Sequence, residues 1–354
     1  MTYPRPLQKK GIEMGLLDWF RGATPKIEEG RVSQAAIDDA IDYLVKMTDA
    51  RLTLVHHYRL RLTGPVTRTL GYIQQLRGQI PPTRDASPLS WSLDPTMRAM
   101  FGQSADLLRT FSQSNALRDY ATGLGPMDPL FAVMGMDFEE QRRLGTVLHG
   151  ELVMRDAAQT ALSFRNQRLR LFGHSEAELR QAFSRRMLDE LAMIALERMQ
   201  DEHDQRRALE EDRLLLSARL TAFRQRGTGL DSVLGEEGAD VSNLQSMALL
   251  HELEENETRL AALGCASDGL ERQLAYLEEV LAEPMRYIRV EHRSMRVDSM
   301  NMLVEAPHGE EITFGVASFD RRQPITRAFL PLRIDRALIG DGRQLRLENA
   351  ERWL

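Results

Sequence analysis

From residue 175 to residue 283, apolar residues return every three or four positions with charged residues between them, the pattern of helices that each bury one stripe. It is densest in the second half. A heptad set on Leu249, Leu253, Asn256, Leu260, Leu263, Ser267, Leu270, Leu274, Leu277 and Leu281 places leucine at eight of ten successive seam positions. The first half follows the same rule less cleanly through Leu188, Ala192, Ala195, Met199, Leu209, Leu216, Leu220 and Phe223, with Glu202, Arg206 and Arg213 breaking the stripe. Two such segments joined by GTGLDSVLGEEG, residues 227–238, are expected to fold back on each other as an antiparallel coiled-coil hairpin, because each stripe needs a surface to cover it. The turn is expected near residue 232, with a break in the second helix near Cys265, where Gly264 and Gly269 flank Ser267. Ser175 and Glu178 stand in capping-box order at the start, and Pro284 closes the end.

Upstream, Ile37, Ile41, Leu44, Leu52, Val55 and Leu62 mark one helix face, with Ser33 as N-cap and Gly64-Pro65 as the predicted stop. A shorter helix follows over residues 66–80. Asp94-Pro95 supplies an N-cap and a proline at the first helical position for another, which Gly102 and Ser104 interrupt.

Between residues 130 and 172 the period changes to two. FAVMGM, LHGELVMR and ALSFRNQRLRLF read as three strands of an antiparallel meander, with EEQRR and DAAQ as its turns. After Pro284, alternation returns in YIRVEHRSMRV, EEITFGVASF and ITRAFLPLRI, the last two separated by the turn DRRQP. These β regions flank the hairpin directly, so the expectation is one sheet with the hairpin inserted into it. The predicted class is α+β: a helical N-terminal region and a small, mostly antiparallel β domain interrupted by the long hairpin. In residue terms this is a flexible leader at 1–32, a helical region at 33–125, a meander at 126–174 and the hairpin at 175–283. The second part of the β domain takes 284–340, and a tail takes 341–354.

Charge is segregated along the chain. Residues 187–283 carry nine arginines against 22 acidic residues, an arrangement that repels phosphate and disfavours nucleic acid there. Basic residues are almost all arginine, with lysine only at Lys9, Lys10, Lys26 and Lys46, a skew that fits a GC-rich bacterial genome. No lysine stands in the frame of a phosphate-binding loop, and acidic residues surround the glycines of 227–238, so that stretch reads as a helix-to-helix turn. The one cysteine, Cys265, excludes an internal disulfide framework and any multi-cysteine zinc site. No run of residues is apolar enough to span a bilayer, and the first residues lack the apolar core of an export signal, so the expected location is the cytoplasm. A second methionine, Met14, opens MGLLDWFRG and offers another start, with a short amphipathic stretch behind it.

Candidate chemistry is sparse. His56 and His57, as helix neighbours, are expected to point about 100° apart. DEHD at 201–204 and HELEE at 251–255 lack the spacings of known metal sites, and a turn at residue 232 would leave a cross-helix pair of His203 and His251 as the one geometric option. No G-x-S-x-G elbow is present, and Cys265 has no basic neighbour to activate it. No cofactor or metal is expected. The reading is a non-enzymatic structural or interaction protein, assembling with a protein partner or as a homo-oligomer. Its interaction seam is Leu249, Leu253, Leu260, Leu263, Leu270, Leu274, Leu277 and Leu281. The alternative is a nucleic-acid-binding accessory factor using Arg165, Arg168, Arg170, Arg289, Arg293 and Arg296 of the β segments.

Overall fold

The computed structural model describes residues 32–122, 125, 128–149, 152–234, 237–264 and 268–339; along 145–149, 152–157, 224–234 and 237–244 it describes the backbone alone. The leader and tail of the sequence reading, Met14 and Cys265 lie outside the described residues. The class is α+β, as the sequence predicts, with 59% of the described residues helical and a long helix between two parts of the sheet.

Helix α1 (Gln34–Thr48) starts at Ser33, whose side chain accepts from the Ala36 N–H at 3.2 Å. The predicted helix to Gly64-Pro65 is in fact two. Asp49 ends α1 and caps a 3-10 turn (Ala50–Leu54), and α2 (Tyr58–Arg77) then runs straight through Pro65. Leu62, Val66, Leu70 and Ile73 carry one buried stripe across that proline, and this packing outweighs the lost hydrogen bond.

Four short helices follow a two-residue strand, β1 (Arg84–Asp85): α3 (Pro88–Leu93), α4 (Pro95–Met100), α5 (Ser104–Gln113) and α6 (Asn115–Ala121). Asp94 caps α4 as expected, accepting from the Thr96 N–H at 2.8 Å.

The expected three-strand meander is instead two long strands, β2 (Leu130–His149) and β3 (Leu152–Gly173), so EEQRR and DAAQ are strand and not turn. Their pairing shifts register near Ala132, Gly135 and Gly145; at the first two of these shifts β3 leaves Leu171 and the pair Asn166 and Gln167 unmatched, and Asn166 and Leu171 have positive φ. Helices α7 (Glu176–Leu234), α8 (Glu237–Ala262) and α9 (Gly269–Ala282) form the insertion. The single turn α10 (Pro284–Tyr287) leads to β4 (Ile288–Val297), β5 (Glu310–Phe319) and β6 (Ile325–Ile334).

The sheet order is β3-β2-β6-β5-β4, antiparallel throughout, with β1 alongside β6 in parallel. Both sequence halves of the β region therefore meet at the β2/β6 pairing, Leu130–Met136 against Ala328–Ile334. Beyond Met136 the β2/β3 pair leaves β6 and continues as an arm. The sheet curls. Residues 301–303 bridge its outer strands, with the Leu162 N–H donating to the Asn301 carbonyl and the Leu303 N–H to the Thr160 carbonyl, both at 2.8 Å. Phe138, Phe164 and Phe314 fill the hollow of the curl, with ring centres 5.2–5.5 Å apart.

Each sheet face has its own core. On β6, Ala328, Leu330, Leu332 and Ile334 face α3–α6, packing with Met97, Phe101, Leu107 and Phe111. Phe329 and Val133 face the other way, toward α1, α2, α9 and the first turns of α7.

Candidate functional site

The insertion has a root and a free length. At the root, α7 is buried on the sheet through Leu179, Phe183, Met187, Leu191, Ala192 and Ala195. Its first turn carries the capping box of the sequence reading, with the Glu178 N–H donating to Ser175 Oγ at 3.2 Å. The Glu178 carboxylate reaches back one residue further than the usual box, to the His174 N–H at 2.8 Å.

Three groups fasten the root. The turn between β5 and β6 sends Arg321 onto α7, where its guanidinium contacts buried Glu190 at 3.1 Å and Glu197 at 2.6 Å. Arg186 also pairs with Glu190. From α2, Arg61 bonds Glu271 and Glu278 of α9, each at 2.6 Å, and the buried Thr69 hydroxyl donates to the Leu281 carbonyl at 2.6 Å. From α1, the Tyr43 hydroxyl donates to Asp189 while Arg185 lies over the Tyr43 ring at 4.9 Å. Burial, with the Asp189 bond next, holds Tyr43 far above the ordinary tyrosine range. Burial also raises Asp189 above the ordinary carboxylate value, against the Tyr43 bond and the charges of Arg186 and Arg185.

Beyond Glu202, the described side chains of α7 and α8 pack against each other along one stripe. Along residues 201–223 and 245–263 the less exposed positions are Glu202, Arg206, Leu209, Leu216, Leu220 and Phe223 on α7, and Ser246, Leu249, Leu253, Asn256, Leu260 and Leu263 on α8; the residues between them are exposed. Arg206 sets the register by donating to the Leu263 and Gly264 carbonyls at 2.9 and 2.8 Å. Gly264, at φ 75°, ends α8 in the left-handed conformation, which places the expected break where the glycines are.

Carried along two regular helices, that register brings Leu220 level with Leu249. The helix runs through Gly227, Gly229 and residue 232 to Leu234, so the turn expected at 232 is helix there. His251 comes level with residue 218, about 22 Å along the rod from His203, so the expected cross-helix pair of His203 and His251 cannot share an ion.

The eight seam leucines fall into two environments. Leu249, Leu253, Leu260 and Leu263 face α7 on the free length, partly exposed. Leu270 packs at the edge of the root, and Leu274, Leu277 and Leu281 are buried in it, on a helix that packs against the 3-10 turn, α2 and α7. Asn256, at a seam position, is buried with its Oδ1 unpartnered. Glu202 is bonded from α9 by Arg272 at 2.7 Å.

The arginines of the alternative reading lie on opposite outer strands of the sheet. Arg165 is 3.6 Å from Glu139, and Arg293 contacts Glu140 at 3.2 Å and Glu291 at 3.4 Å. Arg296 donates to the His308 and Gly309 carbonyls at 3.1 and 2.8 Å. Arg168 and Arg170 on β3 and Arg289 on β4 are exposed. His56 and His57 lie in the break between the 3-10 turn and α2, not on a helix, and their rings approach to 3.7 Å. Among the described residues no three His, Cys, Asp or Glu side chains are grouped to hold a metal ion, and no helix is long and apolar enough to cross a membrane. No family model, curated protein or solved structure matches the chain.

Proposed function

We propose that this chain is a non-catalytic assembly protein of the cytoplasm, with the α7/α8 hairpin as the arm that engages another protein and the two-core base as its mount. One observation carries the reading. From Arg206 to Leu234 the arm extends about 40 Å, and along 206–223, where side chains are described, the less exposed positions form a single stripe toward the opposite helix. A rod of that length adds nothing to either core of the base, and its use lies in reach. The clamps on its root, Arg321 and Arg61 above all, fix its direction, as an arm requires and a loose loop does not. The lone cysteine accords with a reducing compartment.

The test is site-specific photo-crosslinking in the native host, with a photoreactive residue at exposed Ala208 or Glu254 on the arm and, separately, at exposed Arg68 or Arg109 on the base. Discrete protein adducts are expected from the arm positions. Adducts from the base alone, or from neither, would defeat the proposal.

A further inference from the structure

We propose that strand β2, along its open edge from Phe138 to Leu144, pairs antiparallel with the same stretch of a second copy of this chain about a two-fold axis at Gln141, a contact separate from the α7/α8 hairpin. Beyond Met136, β2 has β3 on one edge and, among the described residues, no strand on the other. Its pairing with β3 runs without a register shift from Asp137 to Gly145, so the backbone there is regular. The outer edge of β3 is bridged near Ala161 by residues 301–303. The open side of β2 has no such bridge among the described residues.

An open edge presents backbone N–H and C=O groups that can take up one more strand. Proline and lysine, which commonly blunt such edges, are absent from residues 137–149. Two strands by themselves make a marginal sheet, and Glu139, Glu140, Arg142 and Arg143 are exposed on this one. A second ribbon added on the β2 side makes four strands in the order β3-β2-β2-β3, with the open edges in the middle.

The order of charges along β2 selects a second copy as that strand. Residues 139–143 read Glu-Glu-Gln-Arg-Arg. Opposite them β3 sets Ser163, Leu162, Ala161, Thr160 and Gln159, all uncharged, so the ribbon does not match these charges across its own ladder. Glu139 and Glu140 have Arg165 at 3.6 Å and Arg293 at 3.2 Å, while Arg143 donates to the Gln141 side chain at 3.0 Å. An antiparallel strand that sets an opposite charge against all four must itself read Glu-Glu-x-Arg-Arg from N to C, and β2 does. About an axis at Gln141, Glu139 falls opposite Arg143 of the second copy and Glu140 opposite Arg142, which gives four cross-strand pairs of opposite charge by symmetry. The next pair out sets Phe138 against Leu144, which is 73% exposed in one chain. Moving the axis one residue either way sets Glu140 against Glu140 or Arg142 against Arg142, and parallel strands in register set like charge on like throughout.

Sedimentation equilibrium of the full chain, from about 1 to 50 µM, tests this. A mass near twice the 40.3 kDa of one chain is expected. The variant Glu139→Arg with Glu140→Arg, and separately Arg142→Glu with Arg143→Glu, should each weaken self-association at least about 10-fold, because all four pairs become like-charged. Mixed one to one, the two variants are complementary and should form a mixed dimer, and a chain carrying all four changes should pair with itself again. Register is read by disulfide trapping with Cys265 replaced by serine. Directly opposed residues have Cα atoms about 4.5–5.5 Å apart, within reach of a disulfide, so Gln141→Cys should link two chains on mild oxidation. Leu144→Cys should not, because the two copies of that residue are offset by six positions, about 20 Å.

A single-chain mass at every concentration overturns the inference, as does a dimer indifferent to both charge reversals. A mixture of the two reversed variants that stays monomeric overturns it too, and so does linkage through Leu144→Cys as ready as through Gln141→Cys. None of these outcomes touches the hairpin reading, which stands or falls on the cross-links from Ala208 and Glu254.

Discussion

Asp189 shows how a single buried carboxylate marks the α1/α7 contact. Its pKa is raised above 3.8, chiefly by burial, so the folded chain holds its proton to a higher pH than the unfolded chain does. Below the ordinary carboxylate range both states are protonated and the favourable contribution is complete. As pH rises through the folded value that contribution is lost, and at neutral pH the buried anion opposes folding. Asp189→Asn removes the charge and keeps an oxygen for the Tyr43 hydroxyl. The stability difference, variant minus wild type, should therefore grow as pH rises from about 4 to 7 in urea-unfolding series. Parallel curves for the two proteins would contradict that account. Asn256 is the opposite case, a neutral polar group in an apolar seam. With its Oδ1 buried and unpartnered, Asn256→Leu should stabilise the chain by about 1–2 kcal/mol in the same assay. A loss of stability would mean that the amide holds a register or a partner that leucine cannot.

At the scale of elements, local chemistry was legible wherever a residue's role is decided within a few positions. Ser33, Asp94 and Ser175 cap the helices they were expected to cap, and Gly264 ends α8 within the expected break. Gly264→Ala should cost about 1 kcal/mol or more, because the conformation is left-handed and the added Cβ would sit 3.0 Å from the Arg272 guanidinium. A variant with an unchanged urea midpoint would show that the α8/α9 break tolerates a side chain. What escaped the sequence was decided at longer range. Gly64-Pro65 looked like a stop, yet Leu62 and Val66 are both buried against the α7/α9 side, so the helix gains more by continuing than it loses at the proline. EEQRR looked like a turn because the β2/β3 pair has left β6 by that point, so Glu139 to Arg143 lack the buried face that writes alternation into a sequence. Residue 232 is helix and not the expected turn, because two glycines cost a helix only about 2 kcal/mol, which pairing of α7 with α8 offsets. The candidate surface was half legible: the seam leucines were visible as a stripe, but that half of them serve the root and half the arm depends on where α8 stops and α9 starts.

For the whole molecule, direction is the property at stake, because an arm about 40 Å long turns a small tilt at its root into a large displacement at its end. Arg321 is the side chain that joins that root to the sheet. Its guanidinium lies between Glu190, only 3% exposed, and Glu197, and the neighbouring Arg322 N–H donates to the same Glu197 carboxylate at 3.2 Å. Removing it leaves Glu190 with Arg186 as its remaining cation, and a buried carboxylate stripped of half its compensation is expensive. Arg321→Ala should lower global stability by about 3 kcal/mol. The loss should also be local before it is global: amide exchange is expected to speed up first along residues 188–199 and in the β5/β6 turn, while the α3–α6 face of the sheet keeps its protection. Arg321→Lys can neutralise charge but cannot span both carboxylates in one plane, so it should recover only part of the loss. If exchange instead rises evenly over both cores, Arg321 is a general stabiliser and the arm takes its direction from the apolar packing of Leu191, Ala192 and Ala195 alone.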